Sequence, residues 1–440
     1  MQRPTDPSGT SSFARGMASL HRIQPGGVVE GQAIVTLKLG AMFSDFLARH
    51  DLVEVERVDL EGTLYYLVAS TSQPAVELVE ALQNDKDVEE ADFNRYLQAP
   101  EYEGTPMSFD DEDGKLTEAH YASQPQLTRI HLQEALATSQ GDGAHVAVLD
   151  TGIDRFHPAW GATPIVMGKD WSVHPHGPSA DETADDKDFD DDGDPHEAYG
   201  HGTHVTGIVH LTAPHATLIA VRVLNDDGWG TAFGLAAGIN DALELDAQVI
   251  NMSLGLTHDV GVVRRAVQVA TNQGVALIAS AGNQSSSDGQ YPAAYPDVYA
   301  VAAVDPGDKL ATFSNYGTHI DVSAPGVGIV SLYARAPGRG LYASGGGTSM
   351  AAPFLAGAAA LLIAADPGAD GRHATEAVKM NAPSVDGLNP LFAGIMGRGR
   401  VDLYAALPHN EISPPPGDEP TPVAPAPGGP VKPALQPRSR

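Results

Sequence analysis

The chain predicts an α/β protein, a three-layer domain built on a mostly parallel sheet, preceded by a small α+β unit. Two observations predict it. Over residues 123–408, short apolar runs alternate with helix-length stretches at the spacing that parallel strands and their crossover helices require. Over residues 31–99, strand-like and helix-like stretches of a separate small sandwich follow one another. In the larger domain the strands read as His145 to Leu149, Thr217 to Leu224, Gln248 to Met252, Val275 to Ala279 and Val298 to Val304. Helices fall between them, for example Thr231 to Leu245 and Val260 to Gln273. Met350 to Ala365 is almost wholly apolar but shorter than the about 20 residues a bilayer span needs. It reads as a buried central helix, with Pro353 tolerated near its first turn.

The run Gly345-Gly346-Gly347-Thr348-Ser349-Met350-Ala351-Ala352-Pro353 sets a serine on a glycine turn at the start of that helix. Such turns suit a nucleophile. Glycines allow a sharp bend and close approach, and the helix start directs unpaired amides and a positive dipole end at developing negative charge. A serine hydroxyl also needs a base, and the base needs a carboxylate to orient it. Val146-Ala147-Val148-Leu149-Asp150-Thr151-Gly152 reads as a buried strand delivering Asp150 to a sheet's carboxyl edge. Gly200-His201-Gly202-Thr203-His204 places an imidazole between glycines where a helix begins. The order along the chain is therefore Asp150, His201, Ser349.

These motifs, with Ala279-Ser280-Ala281-Gly282-Asn283, resemble those of the subtilisin-like serine peptidases, and the likeness runs from about Tyr121 to Ala406. Subtilisin itself is the type example of the Asp, His, Ser order. The resemblance implies a subtilisin-like three-layer fold and a serine endopeptidase working through an acyl-enzyme. Ser349 would attack, His201 would carry the proton, Asp150 would hold the imidazole tautomer, and Asn283 with the Ser349 amide would receive the oxyanion. It favours His201 over His204 as base. Asp227-Gly228-Trp229-Gly230 and Ser253-Leu254-Gly255 resemble the two edges that sandwich an extended peptide, so Gly228, Trp229, Gly230, Ser253, Leu254 and Gly255 are expected to bind substrate. Ser280, Ala281 and Gly282 are small and are expected to leave a roomy primary pocket for large apolar or aromatic residues. Leu256 is expected to narrow the groove beside it.

The N-terminal unit has strands at Ala33 to Leu37, Leu52 to Val55, Leu64 to Val68 and about Val88 to Tyr96, with helices at Phe43 to His50 and Gln73 to Gln83. It resembles the family's ferredoxin-like inhibitory propeptide, whose last strand enters the active-site groove, so the chain's own propeptide is an expected intramolecular partner. An unrelated small binding domain is the competing reading. Residues 100–122 read as an acidic linker holding a processing site.

Between Asp150 and His201, residues Asp188, Asp190, Asp192 and Asp194 alternate beside Gly193, an oxygen-rich pattern that suits calcium. A solvated acidic loop explains the run as well. By resemblance, carbonyls at Ala293, Tyr295 and Val298 with the Asp321 carboxylate form a second candidate cation site.

Composition limits the partners. Against 56 acidic residues stand 26 basic ones, a net charge of −30 that argues against nucleic acid and anionic membranes. With no cysteine, disulfides, thiolate metals and a cysteine nucleophile are excluded. Residues 1–30 read as a flexible N-terminus, in which Met1 to Gly27 lacks the apolar core of a secretory signal. Read at face value that is a cytoplasmic start, although the resemblance implies export. Residues 409–440 read as a proline-rich disordered tail. The expectation is a self-processing serine endopeptidase acting on proteins or peptides. Its rivals are a peptide-processing transpeptidase of the same fold and a non-catalytic peptide binder that keeps its propeptide.

Overall fold

The computed structural model describes residues 26–100, 115–173, 179–184, 188–190, 197–336 and 339–408. The expected flexible N-terminus, most of the linker, Asp192, Asp194 and the proline-rich tail fall wholly or largely outside them.

The N-terminal unit runs β1 (Val28–Leu37), α1 (Phe43–His50), β2 (Val53–Leu60), β3 (Thr63–Ala69), α2 (Ala75–Gln83) and β4 (Val88–Gln98). Its antiparallel strands stand in the order β2-β3-β1-β4. Alternation along the strands divides its two faces. Ala33, Val35, Tyr66 and Val68 pack with Phe46, Leu78 and Leu82 of its own helices. Ile34, Val58, Leu60, Tyr65 and Leu67 belong to a second core shared with the larger domain.

That domain begins with α3 (Glu118–Ala122), α4 (Pro125–Arg129) and α5 (Leu132–Thr138). Strands and helices then alternate: β5 (His145–Asp150), β6 (Ile165–Asp170), α6 (His201–Thr212), β7 (Thr217–Arg222), β8 (Trp229–Thr231), α7 (Ala232–Glu244), β9 (Val249–Met252), α8 (Gly261–Asn272), β10 (Ala276–Ser280) and β11 (Val298–Val304). The last elements are β12 (Val322–Pro325), β13 (Ile329–Leu332), β14 (Tyr342–Gly345), α9 (Thr348–Ala365) and α10 (Gly371–Met380). Seven strands pair in the order β12-β11-β10-β9-β5-β7-β6, all parallel.

Helices cover both faces, which is why strands such as β11 are buried along their whole length. α6 and α9 pack on one face, α7 and α8 on the other. Apolar on every side, α9 is the central helix of the first of these cores: it touches α6, α10 and β9 to β12, and its residues Thr348 to Ile363 are buried. Pro353 lies inside the helix near its start. The parallel sheet and the sandwich follow the periodicity of the sequence, whereas β6, β12 to β14, the three short helices before β5, and α10 do not stand out in it. Helix α3 falls at the end of the stretch read as linker, where the hydroxyl of buried Tyr121 donates to the Gly207 carbonyl at 2.6 Å.

Candidate active site

β5 ends at Asp150, and the chain turns away through Thr151 and Gly152. The helix α6 starts at His201, directly against that turn. A Cβ on Gly202 would lie 2.2 Å from the Gly152 carbonyl oxygen, so only glycine lets the helix approach this closely. His201 Nδ1 and Asp150 Oδ1 lie 2.7 Å apart, and the Thr151 amide donates to the same oxygen at 2.7 Å. A carboxylate at Nδ1 fixes the proton there and turns Nε2 into the ring's acceptor.

His204, one turn on, is unsuited to that work. Its Nε2 faces the carbonyls of Ile329 and Ala343, each at 3.1 Å, and burial, then the neighbouring His201, depresses its pKa to about 3. It is a neutral packing group that donates from Nε2.

Ser349 occupies the first turn of α9, which packs on α6. Its hydroxyl lies 3.4 Å from the Ser253 carbonyl, and the Ser253 hydroxyl in turn donates to the Ser349 carbonyl at 2.9 Å. Asn283 follows β10, at the same carboxyl edge. Its Oδ1 accepts from the amide and the hydroxyl of Thr348, each at 3.0 Å. Those two bonds orient its side chain toward the start of α9. Residues from three elements and one loop thus converge at one end of the parallel sheet, where α/β folds place their ligands.

Sequence reasoning missed Glu182. It is the second residue of the acidic stretch that runs from Asp181 to Glu197, yet it turns inward. Its carboxylate accepts from the Thr151 hydroxyl at 2.6 Å, the Gly200 amide at 2.7 Å, the Thr203 amide at 3.2 Å and the Thr203 hydroxyl. Thr151 follows Asp150 and Gly200 precedes His201, so one side chain ties the aspartate turn to the histidine helix. Burial pushes its pKa up to about 7 against the pull of those donors. The only signal in the sequence is an acidic residue amid a run of others, which does not distinguish an inward carboxylate from a solvated one.

The two segments expected to bind substrate hold the end of β4 between them. β4 pairs antiparallel with β8, matching Leu97 to Gly230 and Gln98 to Trp229. On the other side the Gln98 amide donates to the Gly255 carbonyl at 3.0 Å, and the Gly255 amide returns a bond to Gln98 at 2.9 Å. The Ala99 amide donates to Gly228 at 3.0 Å. Residues 96–99 therefore lie as a strand between the two edges while Ser349, His201 and Asp150 are at most 1% exposed.

Residues 141–399 match Peptidase S8, the Subtilase family. The chain belongs to the subtilase family. Thermitase of Thermoactinomyces vulgaris is 36% identical to this subtilase over 289 residues, 63% of this chain and 94% of thermitase. Subtilisin BL of Lederbergia lenta is 37% identical over 278 residues, 60% of this chain and 91% of that protein. Among solved structures, fervidolysin of Fervidobacterium pennivorans, a keratinolytic enzyme related to subtilisin, superposes with a TM-score of 0.69 at 23% identity, a likeness of fold. The match covers 89% of this chain and 64% of fervidolysin. The protein is accordingly a subtilisin-like serine peptidase.

In this subtilase Gln290 takes part of the room expected in the primary pocket. Gln290 enters the space framed by residues 253–255 and 280–282: a Cβ on Gly255 would lie 2.4 Å from its side chain, and one on Gly282 would lie 2.9 Å from its Oε1. Its Nε2 donates to the Ser280 carbonyl at 3.2 Å. The cavity beside Pro100, about 360 Å³ and lined also by Leu256, Gln284 and Ser286, is consequently polar on this wall. Small residues at 280–282 do leave room, but Gln290 from the following loop takes part of it. Replacing Gln290 with glycine is expected to raise kcat/KM for peptides with phenylalanine at the cleaved position by about tenfold relative to alanine, since roughly 1 to 3 kcal/mol accompanies each methylene-sized change in such a pocket. An unaltered phenylalanine-to-alanine ratio would show that Gln290 does not set the pocket's depth.

Of the acidic residues read as metal ligands, Asp188 and Asp190 meet Asp227, an aspartate the sequence reading took only as part of the groove edge. Carboxylate oxygens of the three lie within 4.8 Å of one another. Asp321 is different. Lys379 Nζ lies 3.0 Å from it, supplying the positive charge a cation would bring, and the Ala300 amide donates to it at 2.9 Å.

Proposed function

We propose that this subtilase is made as a self-inhibited zymogen and cleaves peptide bonds through an acyl-enzyme formed on Ser349. The register of residues 96–99 carries the reading. They lie antiparallel to one edge strand and bond both ways to Gly255 on the other, as an extended substrate would. In this reading Ser349 Oγ attacks the carbonyl of the residue held beside the pocket. His201 Nε2 takes the hydroxyl proton and returns it to the leaving amine, and Asp150 stabilises the imidazolium. The Asn283 side-chain amide and the Ser349 backbone amide receive the oxyanion.

The N-terminal unit acts as the inhibitor, because its sheet is anchored as well as its last strand. Asn94 Oδ1 accepts from the Phe233 amide at 3.1 Å at the start of α7, and Asp92 Oδ2 accepts from the Gly261 amide at 3.3 Å at the start of α8. Such acceptors satisfy helix N–H groups that have no partner within the helix. Calcium is the expected structural cofactor, and hard-cation ligation fits the convergence of Asp188, Asp190 and Asp227.

The role of Asn283 is testable in the processed enzyme. Asn283→Ala is expected to lower kcat about 100 to 1000-fold with little change in KM, the cost found for removing such a donor in subtilisin. A fluorophosphonate probe should still label Ser349 in that variant. An unchanged kcat would remove Asn283 from the oxyanion site, and absence of label on the processed parent would remove Ser349 as nucleophile.

A further inference from the structure

The cavity of about 360 Å³ beside Pro100 lies where the proposed groove receives the side chain of the cleaved residue. Its wall is fixed by contacts within the domain. The Ser285 amide donates to the Phe313 carbonyl at 2.8 Å, and the Tyr316 amide donates to the Ser286 carbonyl at 3.0 Å. Buried Asn315 accepts from the Gln284 and Ser286 amides through Oδ1, each at 3.0 Å, and donates from Nδ2 to Gln284 Oε1 at 2.8 Å. Leu256 and Tyr291 exchange backbone bonds at 2.8 and 2.9 Å, which holds the neighbouring Gln290 against the edge at Gly255.

The free groups on that wall are acceptors. Gln290 donates from Nε2 to the Ser280 carbonyl, and no donor among the described residues meets its Oε1, which lies 2.5 Å from where a Cβ on Gly255 would stand. At the exposed rim the Asp288 amide donates to Ser286 Oγ at 3.0 Å, while the Asp288 carboxylate meets neither a donor nor a cation among the described residues. None of the described residues lining the cavity is lysine or arginine. Buried Leu256 adds an apolar strip to the same wall. An apolar side chain entering here would take water from Gln290 Oε1 and return no donor, which is unfavourable. Arginine fits all three features: a methylene stem that packs on apolar surface, five N–H donors with no acceptor, and a permanent positive charge.

We propose that the primary pocket selects arginine, with its stem against Leu256, its guanidinium donating to Gln290 Oε1 and its charge drawn by the Asp288 carboxylate, so that this subtilase cuts proteins and peptides after arginine. The inference rests on the groove reading above. A net charge of −30 favours the same substrates, because it draws cationic chains toward the protein. The inhibitory strand brings Pro100 to the pocket, and residues 100–114 contain neither arginine nor lysine. The chain's own linker is thus a poor rival to a substrate that offers arginine.

The test uses the parent chain after processing and three peptides that differ only at the cleaved residue, which is arginine, its uncharged isostere citrulline, or phenylalanine. At low salt, kcat/KM for the arginine peptide is expected to exceed both others by about tenfold or more. Asp288→Asn should lower the arginine-to-citrulline ratio about fivefold, the upper range for an exposed ion pair. Asp142→Asn removes the same charge near the opposite end of β5 and should leave that ratio unaltered. Added salt should reduce the ratio in the parent more than in Asp288→Asn. A phenylalanine peptide cut as fast as the arginine peptide, or a ratio that Asp288→Asn does not move, overturns the arginine pocket and leaves the peptidase reading intact. No cleavage of any of the three, with no fluorophosphonate label on Ser349, overturns the groove reading and the pocket with it.

Discussion

The Ser349→Ala chain is expected to remain at full length, while the parent divides into two fragments at a bond just beyond the strand held in the groove. The paired segment ends with the Ala99 amide on Gly228, and Pro100 lies beside the pocket that Gln290 and Leu256 line. The first bond past it joins Pro100 to Glu101. Intact mass over time should therefore give fragments 1–100 and 101–440 from the parent and neither from the variant. Loss of a hydroxyl nucleophile removes about six orders of magnitude in subtilisin, far more than repacking around a buried serine could cost. Cleavage of the Ser349→Ala chain at the parent's rate would end the assignment of Ser349. Cleavage of the parent elsewhere would keep Ser349 and show that residues 96–99 inhibit without serving as the substrate of processing.

Glu182→Ala should have the next largest effect, although Glu182 touches no substrate in this reading. Its removal leaves the Gly200 and Thr203 amides and two threonine hydroxyls without their shared acceptor, in a place that water does not reach. Breaking such a buried network by deleting one partner costs roughly 3 to 5 kcal/mol. The melting temperature should fall accordingly, and kcat of the processed enzyme should fall at least tenfold with KM nearly unchanged, because the aspartate turn and the histidine helix lose register. Glu182→Gln keeps one acceptor and should recover most of both losses.

The pH dependence separates this positioning role from mere packing. The folded-state pKa of Glu182, about 7, lies above the ordinary glutamate value of 4.5. Its contribution to stability is therefore fully present below pH 4.5 and is lost as the pH rises toward 7, when a buried carboxyl must ionise. Glu182→Gln should flatten the stability profile across that window. A variant profile parallel to the parent's would show that Glu182 carries its charge in both states and that its four donors outweigh burial.

Much of this was legible in the sequence. Local periodicity exposed the buried strands and the helices between them, because a strand buried on both faces is a continuous apolar run and a helix such as α8 is apolar on one side. Asp150, His201 and Ser349, the aspartate, base and nucleophile of the proposed function, stand out in the sequence because each lies in a short motif with glycine beside it, and Asn283 stands out beside its strand. In the N-terminal unit, the division of Ile34 and Leu67 from Val35 and Val68 follows from alternation along the strands.

Only the tertiary structure decided the rest, since contacts between residues far apart in sequence leave no local trace. Glu182 and Asp190 lie eight positions apart in one acidic stretch, yet one ties the turn after Asp150 to the start of α6 and the other faces Asp227. Composition treats them alike; burial and the donors around each set them apart. Gln290 narrows a pocket that residues 280–282 leave open, and Lys379 neutralises Asp321, because side chains from other segments fold into those spaces. The sequence by itself determined the elements and the reactive groups, which depend on neighbours along the chain, while pocket depth, charge pairing and the filled groove depend on neighbours in space.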